Sequence, residues 1–379
     1  MVEGDETRKG QNVRSRVLLV FGGDSSEHEI SCLTAGGVLR ALDRERFDVT
    51  CVGIAKGGRW VAVDEAVVRS YAIVDASLPT VDASLPDAVL IRTASGADVA
   101  RVDGDSLVGR TPIDVAFALL HGPFGEDGTI QGLFEMMGVR YVGAGVLSSA
   151  VCQDKGAMKQ QFAVHGLPTG PYVIVTDAEW RTDADACVAR IGELASPWFV
   201  KPARGGSSMG ITRVTALDDL PAAIAEARTY DPHVIVEQGI TGAREVECAV
   251  LGSLDGTPAA SLPGEIDVHT ESRFYDFATK YLPDQPVSLV IPADLPDDVI
   301  GRVRDLAVRA FVALGCEGLA RVDTFVFPNG DVILNELNTM PGFTSTSMYP
   351  KLWEAAGVAY TQLVTRLLDL ALARSVGLR

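Results

Sequence analysis

The sequence predicts an α/β protein of two or three domains, and three observations carry that expectation. The chain has 379 residues, 47% of them hydrophobic, which is more than one ordinary domain of roughly 100 to 200 residues. From Arg16 the pattern runs strand ("RVLLVF"), glycine turn ("GGDSSE"), helix ("HEISCLTAGGVLRAL") and strand ("DVTCVGI"), the start of an open, mainly parallel sheet. Toward the other end, alternating apolar runs flank Asn329-Gly330, the signature of two strands joined by a tight turn.

Residues 1–15 are polar, lack the apolar stretch of a signal peptide and read as a disordered tail. A first α/β unit spans 16–146. Its opening helix has Ser26 and Glu29 at capping-box spacing, and residues 75 to 112, rich in Asp, Ser, Pro and Gly, read as loops and short strands. The strand "DVAFALL" delivers its carboxyl end into "HGPFGEDGT", ahead of the helix "IQGLFEMMG", which stops at Gly138. Loops at the carboxyl ends of parallel strands are where such sheets bind ligands. A second unit, 147–233, reads as one helix ("SSAVCQDKGAMKQQFAVHG"), "YVIV", an acidic-start helix, "PWFVKPA", the loop "RGGSSMG" and "ITRV". The third, 234–379, offers "HVIVEQ", "EVECAVLG", a polar segment around "TESRFYDFATKYLPDQP", a helix from Pro296 to Leu314, the hairpin, and a closing helix from Lys351.

The formal charge of -17 argues against a sequence-independent grip on nucleic acid or an anionic membrane surface, since both rely on clustered Lys and Arg. No apolar run reaches the ~18 residues a membrane span needs. Six scattered cysteines without zinc-type spacing read as reduced, buried thiols of a cytosolic protein. Only seven residues are lysine against twenty-six arginines, so a lysine inside a motif is informative. Lys155, Lys201 and Lys280 are such lysines.

The hairpin carries the sharpest arithmetic. With Asn329-Gly330 as turn centre, facing residue numbers sum to a constant, so Asp323 opposes Glu336 and Arg321 opposes Asn338. All four project from one face. Opposed carboxylates repel unless a positive charge lies between them. Magnesium, which takes oxygen ligands and completes its shell with phosphate and water, suits that place. The alternative is a polar exposed face on which Arg321 neutralises both acids.

Other motifs are weaker alone. "ARGGSSMG" (203 to 210) can cradle phosphate with its amides and hydroxyls or be a plain hairpin loop, and it lacks the G-K-[ST] of a Walker loop. Lys201, on an apolar strand, needs an anionic partner, and beside that loop a triphosphate is favoured. Lys155 is either a phosphate contact or a solvated helix lysine. Glu237 and Glu245 accept from a ribose or face water. Glu27, at a strand-to-helix turn, would attract an ammonium. His121 is structural or touches a ligand. "RFYDFATKY" (273 to 281) suits a lid, and "NELNTMPGFTSTSMYP" offers the Gly342 backbone and the Ser347 hydroxyl to a carboxylate.

Together, "GGDSSEHEIS", "HGPFGEDGTIQG", "VKPARGGSSMG", "FYDFATKY", "ARVDTF" and "NELNTMPGFTSTSM" resemble, in order and from Arg16 to Ala373, the D-alanine:D-alanine ligase family of ATP-grasp enzymes. The resemblance implies a three-domain architecture with ATP between two antiparallel sheets of the central and C-terminal domains, a homodimer, and a cytoplasmic role in peptidoglycan precursor synthesis. It implies two magnesium ions, with manganese as a substitute, on Asp323, Glu336 and Asn338. It assigns Lys155, Lys201 and Ser208 to the nucleotide phosphates, Glu237 and Glu245 to adenosine, and Lys280 to a lid contact with ATP. Glu27, linked to Ser207 and Tyr281, would hold the ammonium of the first D-alanine, with His121 nearby. Arg321 and the Gly342 amide would stabilise the charged intermediates, and Ser347 and Met348 would touch the second D-alanine. Gly205 stands where relatives carry an acid, Phe277 where tyrosine is frequent, and "TGAREVE" is one residue longer than in some relatives.

The implied reaction has two steps. One D-alanine carboxylate attacks the γ-phosphorus of ATP to give an acyl phosphate; the amine of the second D-alanine then displaces phosphate. A D-alanine:D-lactate ligase is the near alternative, against which Tyr281 argues because ester-forming members often carry phenylalanine there. Another ATP-grasp carboxylate-amine ligase, or a nucleotide-binding regulator without catalysis, are the further ones.

Overall fold

The computed structural model describes residues 14–75, 77–206, 209–268 and 287–377. Its first unit contains β1 (Ser15–Gly22), α1 (His28–Ala41), β2 (Phe47–Ile54), β3 (Trp60–Val63), α2 (Glu65–Arg69), β4 (Ala88–Thr93), β5 (Gly96–Asp103), β6 (Ser106–Ile113), β7 (Val115–Ala118), α3 (Thr129–Met137) and β8 (Arg140–Tyr141). Five of these strands form a sheet in the order β3-β2-β1-β7-β8, parallel except for β3 at its edge. Alternate residues of β1 feed two cores: Val17, Leu19 and Phe21 on one face, Leu18 and Val20 on the other. That is why the strand reads as a continuous apolar run.

Two local expectations need correction. Residues 75 to 112 hold a separate three-stranded antiparallel sheet, β4-β5-β6, whose turn residues masked strands of six to eight residues. Helix α1 begins at His28 with Glu27 at the capping position and no side-chain cap. The Glu29 carboxylate binds Lys56 Nζ at 2.5 Å instead of turning back to the helix start.

The next segment contains α4 (Val146–Gln153), α5 (Lys155–Val164), β9 (Tyr172–Val175), α6 (Asp177–Thr182), α7 (Ala184–Gly192), β10 (Trp198–Pro202), β11 (Thr212–Val214), α8 (Leu220–Ala227) and β12 (Val234–Gln238). The strands make an antiparallel sheet, β11-β10-β12-β9. A boundary between 233 and 234 would divide it. The single helix expected after Leu147 is two. Asp154 breaks it in extended conformation and caps α5, its carboxylate accepting from the Ala157 N–H at 3.0 Å. Short polar side chains favour this position.

The remainder contains β13 (Arg244–Leu251), β14 (Ala259–Ala260), β15 (Gly264–Val268), β16 (Val287–Val290), α9 (Asp297–Ala313), β17 (Leu319–Val326), β18 (Val332–Asn338), α10 (Met348–Ala355) and α11 (Tyr360–Leu372). The sheet runs β16-β15-β13-β17-β18, with β14 paired to β13. Helix α9, placed by its sequence within a residue at each end, buries Val299, Val303, Ala307 and Ala310 against the sheet, a stripe at helical spacing. The closing helix is two helices, separated around Gly357, whose φ of +83° suits glycine. Helix α11 crosses back to the first sheet, where Leu363, Val364, Leu367 and Leu368 share a core with Val17 and Phe117. Arg46 and Asp369 pair there at 2.6 Å. No helix among the described residues is long and apolar enough to cross a membrane.

Candidate active site

The hairpin sets the geometry. Near the turn, Val326 faces Val332 and Thr324 faces Leu334. The loop is therefore three residues, Pro328 to Gly330, with Phe327 N–H donating to the Asp331 carbonyl at 2.9 Å. Gly330 takes φ +85°, as the left-handed position of such a loop requires. The two-residue Asn-Gly turn is thus corrected. Yet one extra residue in β18, Asn335, shifts the register back, so Asp323 faces Glu336 and Arg321 faces Asn338 as the arithmetic has it. A β-bulge adds one residue to one strand in this way.

Arg321 lies between acids. Its Nε and Nη2 donate to the two oxygens of Asp323 at 2.7 and 2.6 Å, and Nε is 3.2 Å from Glu247 Oε2. Asn338 Nδ2 also donates to Asp323, at 3.1 Å. Burial works against the guanidinium charge, but Asp323, Glu247 and Glu336 more than offset it and raise its pKa. Glu247 escaped the sequence reading. It faces Asp323 across β13 and β17 and is buried, whereas Glu245, two residues earlier, is exposed.

The opposite wall is the four-stranded sheet. Lys201 and Glu237 share its face and form an ion pair. Lys159, from α5, binds the other oxygen of Glu237 at 2.7 Å. Burial pushes the Glu237 carboxyl up, but the two ammonium groups hold it far below the ordinary carboxylate range. Lys201 is likewise disfavoured by burial, yet Glu237, with Glu336 and Glu245 beyond, keeps it above its usual value. Lys155 is the first residue of α5, not a mid-helix lysine. Its Nζ donates to the Gly205 carbonyl at 2.7 Å and lies 3.9 Å from Glu336.

At the third corner, the loops after β1 and β7 meet where the strand order reverses, the customary ligand crevice of such sheets. Gly22 bends the first loop at φ +89°, and a Cβ there would come within 2.3 Å of the Ile54 carbonyl oxygen. These loops bring ligating atoms of Glu27, His121 and Glu126 within 4.8 Å of one another. His121 is buried, and its Nδ1 lies 3.1 Å from the Met340 carbonyl. A carbonyl only accepts, so Nδ1 carries hydrogen and Nε2 of the neutral ring is left as an acceptor. That atom is buried without a hydrogen-bond partner among the described residues. Glu126, also missed in the sequence, accepts from Gly122 N–H at 2.6 Å and Met340 N–H at 3.3 Å. Burial pushes its carboxyl up to about 7, with Glu27 adding to the rise.

All thirteen sequence-predicted site residues that fall among the described residues line one cleft of about 760 Å³. Phe199, Ile211, Ile240 and Leu334 give it apolar walls at positions the sequence did not distinguish from core. The Ser347 hydroxyl is 2.7 Å from that of Thr344, Met348 starts α10, and Gly342 lies on the preceding loop. Ser207, Ser208, Lys280, Tyr281 and the expected lid lie outside the described residues.

Two antiparallel sheets that line one cleft, Lys201 on one with Lys155 and Lys159 of α5 beside it and Asp323 and Glu336 on the other, make this an ATP-grasp protein, and solved structures agree. The VanG D-Ala:D-Ser ligase of Enterococcus faecalis superposes with a TM-score of 0.80 at 32% identity, covering 95% of this chain and 100% of that one. The D-alanine-D-alanine ligase of Coxiella burnetii gives 0.78 at 32% identity, covering 95% and 94%. The family models described as D-ala D-ala ligase N-terminus and C-terminus match residues 16–144 and 162–369. The D-alanine--D-alanine ligases of Arthrobacter sp. (strain FB24) and Kineococcus radiotolerans are 50% and 51% identical, each over 97% of this chain and over 97% and 99% of their own. The chain belongs to the D-alanine–D-alanine ligase family.

Proposed function

We propose that the chain ligates two D-alanines to D-alanyl-D-alanine, converting ATP to ADP and phosphate through an acyl phosphate, for peptidoglycan precursor synthesis. The observation that carries this reading is the convergence of one carboxylate-lined strand face, the lysines of β10 and α5 and the Glu27 corner on a single cleft. The first D-alanine would be held by its ammonium at Glu27, with His121 Nε2 available as an acceptor beside it. Lys155 and Lys201 would neutralise the nucleotide phosphates. Arg321, held by Asp323, is a charge already oriented before reaction, and such preorganised donors stabilise developing anionic oxygen. The second D-alanine would lie against Ser347 and Met348, near the Gly342 amide.

Asp323, Glu336 and Asn338 bring carboxylate and amide oxygens to one strand face that lines the cleft, a donor set that fits magnesium or manganese. Bound there, two such ions would neutralise charge on the phosphates during transfer. We place the protein in the cytoplasm, as a homodimer of three-domain subunits.

The test is magnesium-dependent ADP release with D-alanine alone, with L-alanine alone, and with D-alanine plus D-lactate or D-serine, the products identified by mass spectrometry. Release with D-alanine alone, giving the dipeptide, is expected. A mixed product dominating at neutral pH would transfer the assignment to another acceptor.

A further inference from the structure

Helix α5 reaches β18 with three residues of one helical face. Lys155, Met158 and Lys159 have the i, i+3, i+4 spacing that aligns side chains. Lys159 is 2% exposed; its Nζ binds Glu237 at 2.7 Å and donates to the Asn335 carbonyl at 3.1 Å. The Met158 sulfur accepts from the Leu337 N–H at 3.3 Å. Backbone groups on both sides of Glu336 are therefore held by one helix, while Lys155 faces the Glu336 carboxylate itself.

Asn335 is the extra residue of the bulge. If the register near the turn continued, Asn335 would face Asp323 and Glu336 would point to the other side of the sheet, since a one-residue slip exchanges faces. A bulge leaves ladder groups unpaired, and β18 is the edge of its sheet; among the described residues the segment beyond it bridges Leu334 through Thr169 but no strand pairs with Asn335. A buried ammonium is a strong donor for such a carbonyl but needs its own anion. Glu237 supplies it.

We propose that Lys159 is a positioning residue for the metal site: it holds the Asn335 bulge and so aligns Glu336 and Asn338 with Asp323 and Arg321. This rests on the reading of Asp323, Glu336 and Asn338 as the metal ligands. It goes beyond that reading by assigning their alignment to a lysine whose ammonium is bound to Glu237 and the Asn335 carbonyl and is not itself a metal ligand.

The test uses Lys159→Met in the full chain, with Mn2+ binding in the presence of ADP followed by electron paramagnetic resonance, beside steady-state kinetics. The Mn2+ dissociation constant should rise about tenfold or more, the usual effect of losing a residue that orients a ligand, with the D-alanine KM within about twofold. Lys159→Arg should recover most of the loss. Lys159→Gln, which keeps a donor, carries the same test if the methionine variant folds poorly; it should bind Mn2+ more weakly than the parent. Unchanged Mn2+ affinity in a folded Lys159→Met or Lys159→Gln variant overturns the proposal. So does restoration of that affinity by adding Glu237→Gln to Lys159→Met, because Lys159 would then only balance charge. Asp323→Asn is the control: if it leaves Mn2+ binding intact, the metal reading itself fails, a different outcome from failure at Lys159 alone.

Discussion

The hairpin face and the Glu27 corner line the same cleft but are built on opposite plans. On the hairpin, strand pairing brings Asp323, Glu336, Arg321 and Asn338 together, and cations lie close to its acids: Arg321 on Asp323, Lys155 toward Glu336. At the corner, loops from two strands assemble Glu27, His121 and Glu126, one ring nitrogen is buried without a partner among the described residues, and one carboxyl is pushed up to about 7. One site holds cations against its acids before anything binds. The other holds a buried ring nitrogen with no hydrogen-bond partner among the described residues, which suits a substrate that brings one.

The comparison breaks most plainly at Asp323. Asp323→Asn keeps the shape but removes the charge that both Arg321 and a metal require, and turnover should fall about 1,000-fold, the order seen when a preorganised charge at a reacting centre is lost. A rate within tenfold of the parent, at unchanged magnesium dependence, would reject the hairpin as the metal face. Glu27→Gln should act on binding. Losing a charge-assisted hydrogen bond of ~1.5–3 kcal/mol would raise the KM for the more tightly bound D-alanine roughly 10- to 150-fold and leave ATP affinity near that of the parent. An ATP defect of the same size would erase the distinction between the two sites.

The smallest effect concerns pH. Glu126 faces Glu27 and His121 and accepts from the Gly122 and Met340 amides, and burial pushes its folded pKa up to about 7 from an ordinary value of 4.5. The folded state therefore binds the extra proton between those values. The stability Glu126 contributes is fully present below about pH 4.5 and is lost as pH rises through 7. Glu126→Gln, neutral throughout, should flatten that part of the melting-temperature profile between pH 5 and 8. An unchanged slope would mean that another group titrates there.

The hairpin was legible because facing positions follow from counting, and apolar alternation located both strands. What counting missed is that the turn has three residues and that Asn335 compensates for it. The compensation is stabilised by Lys159 and Met158 from a distant helix, and nothing within β18 announces it. Lys159 itself, four residues after the more conspicuous Lys155, carried no motif that would single it out. Glu247 was passed over for Glu245 because both occupy one face of one strand, and only the pairing of β13 with β17 tells which of them meets Asp323. The Glu27 corner was legible only residue by residue. Its convergence depends on β7 lying beside β1, a long-range pairing, and Glu126 gained its role only from that juxtaposition.

Helix α11 carries a consequence for synthesis. The first sheet shares its core with Leu363, Val364, Leu367 and Leu368, so β1 and β7 complete one of their two packed faces only after both nucleotide-facing sheets have been made. Domains generally condense as the ribosome releases them. Here α1 covers part of that apolar face early, the rest must wait for α11, and the two catalytic sheets are in effect a long excursion between two parts of one core.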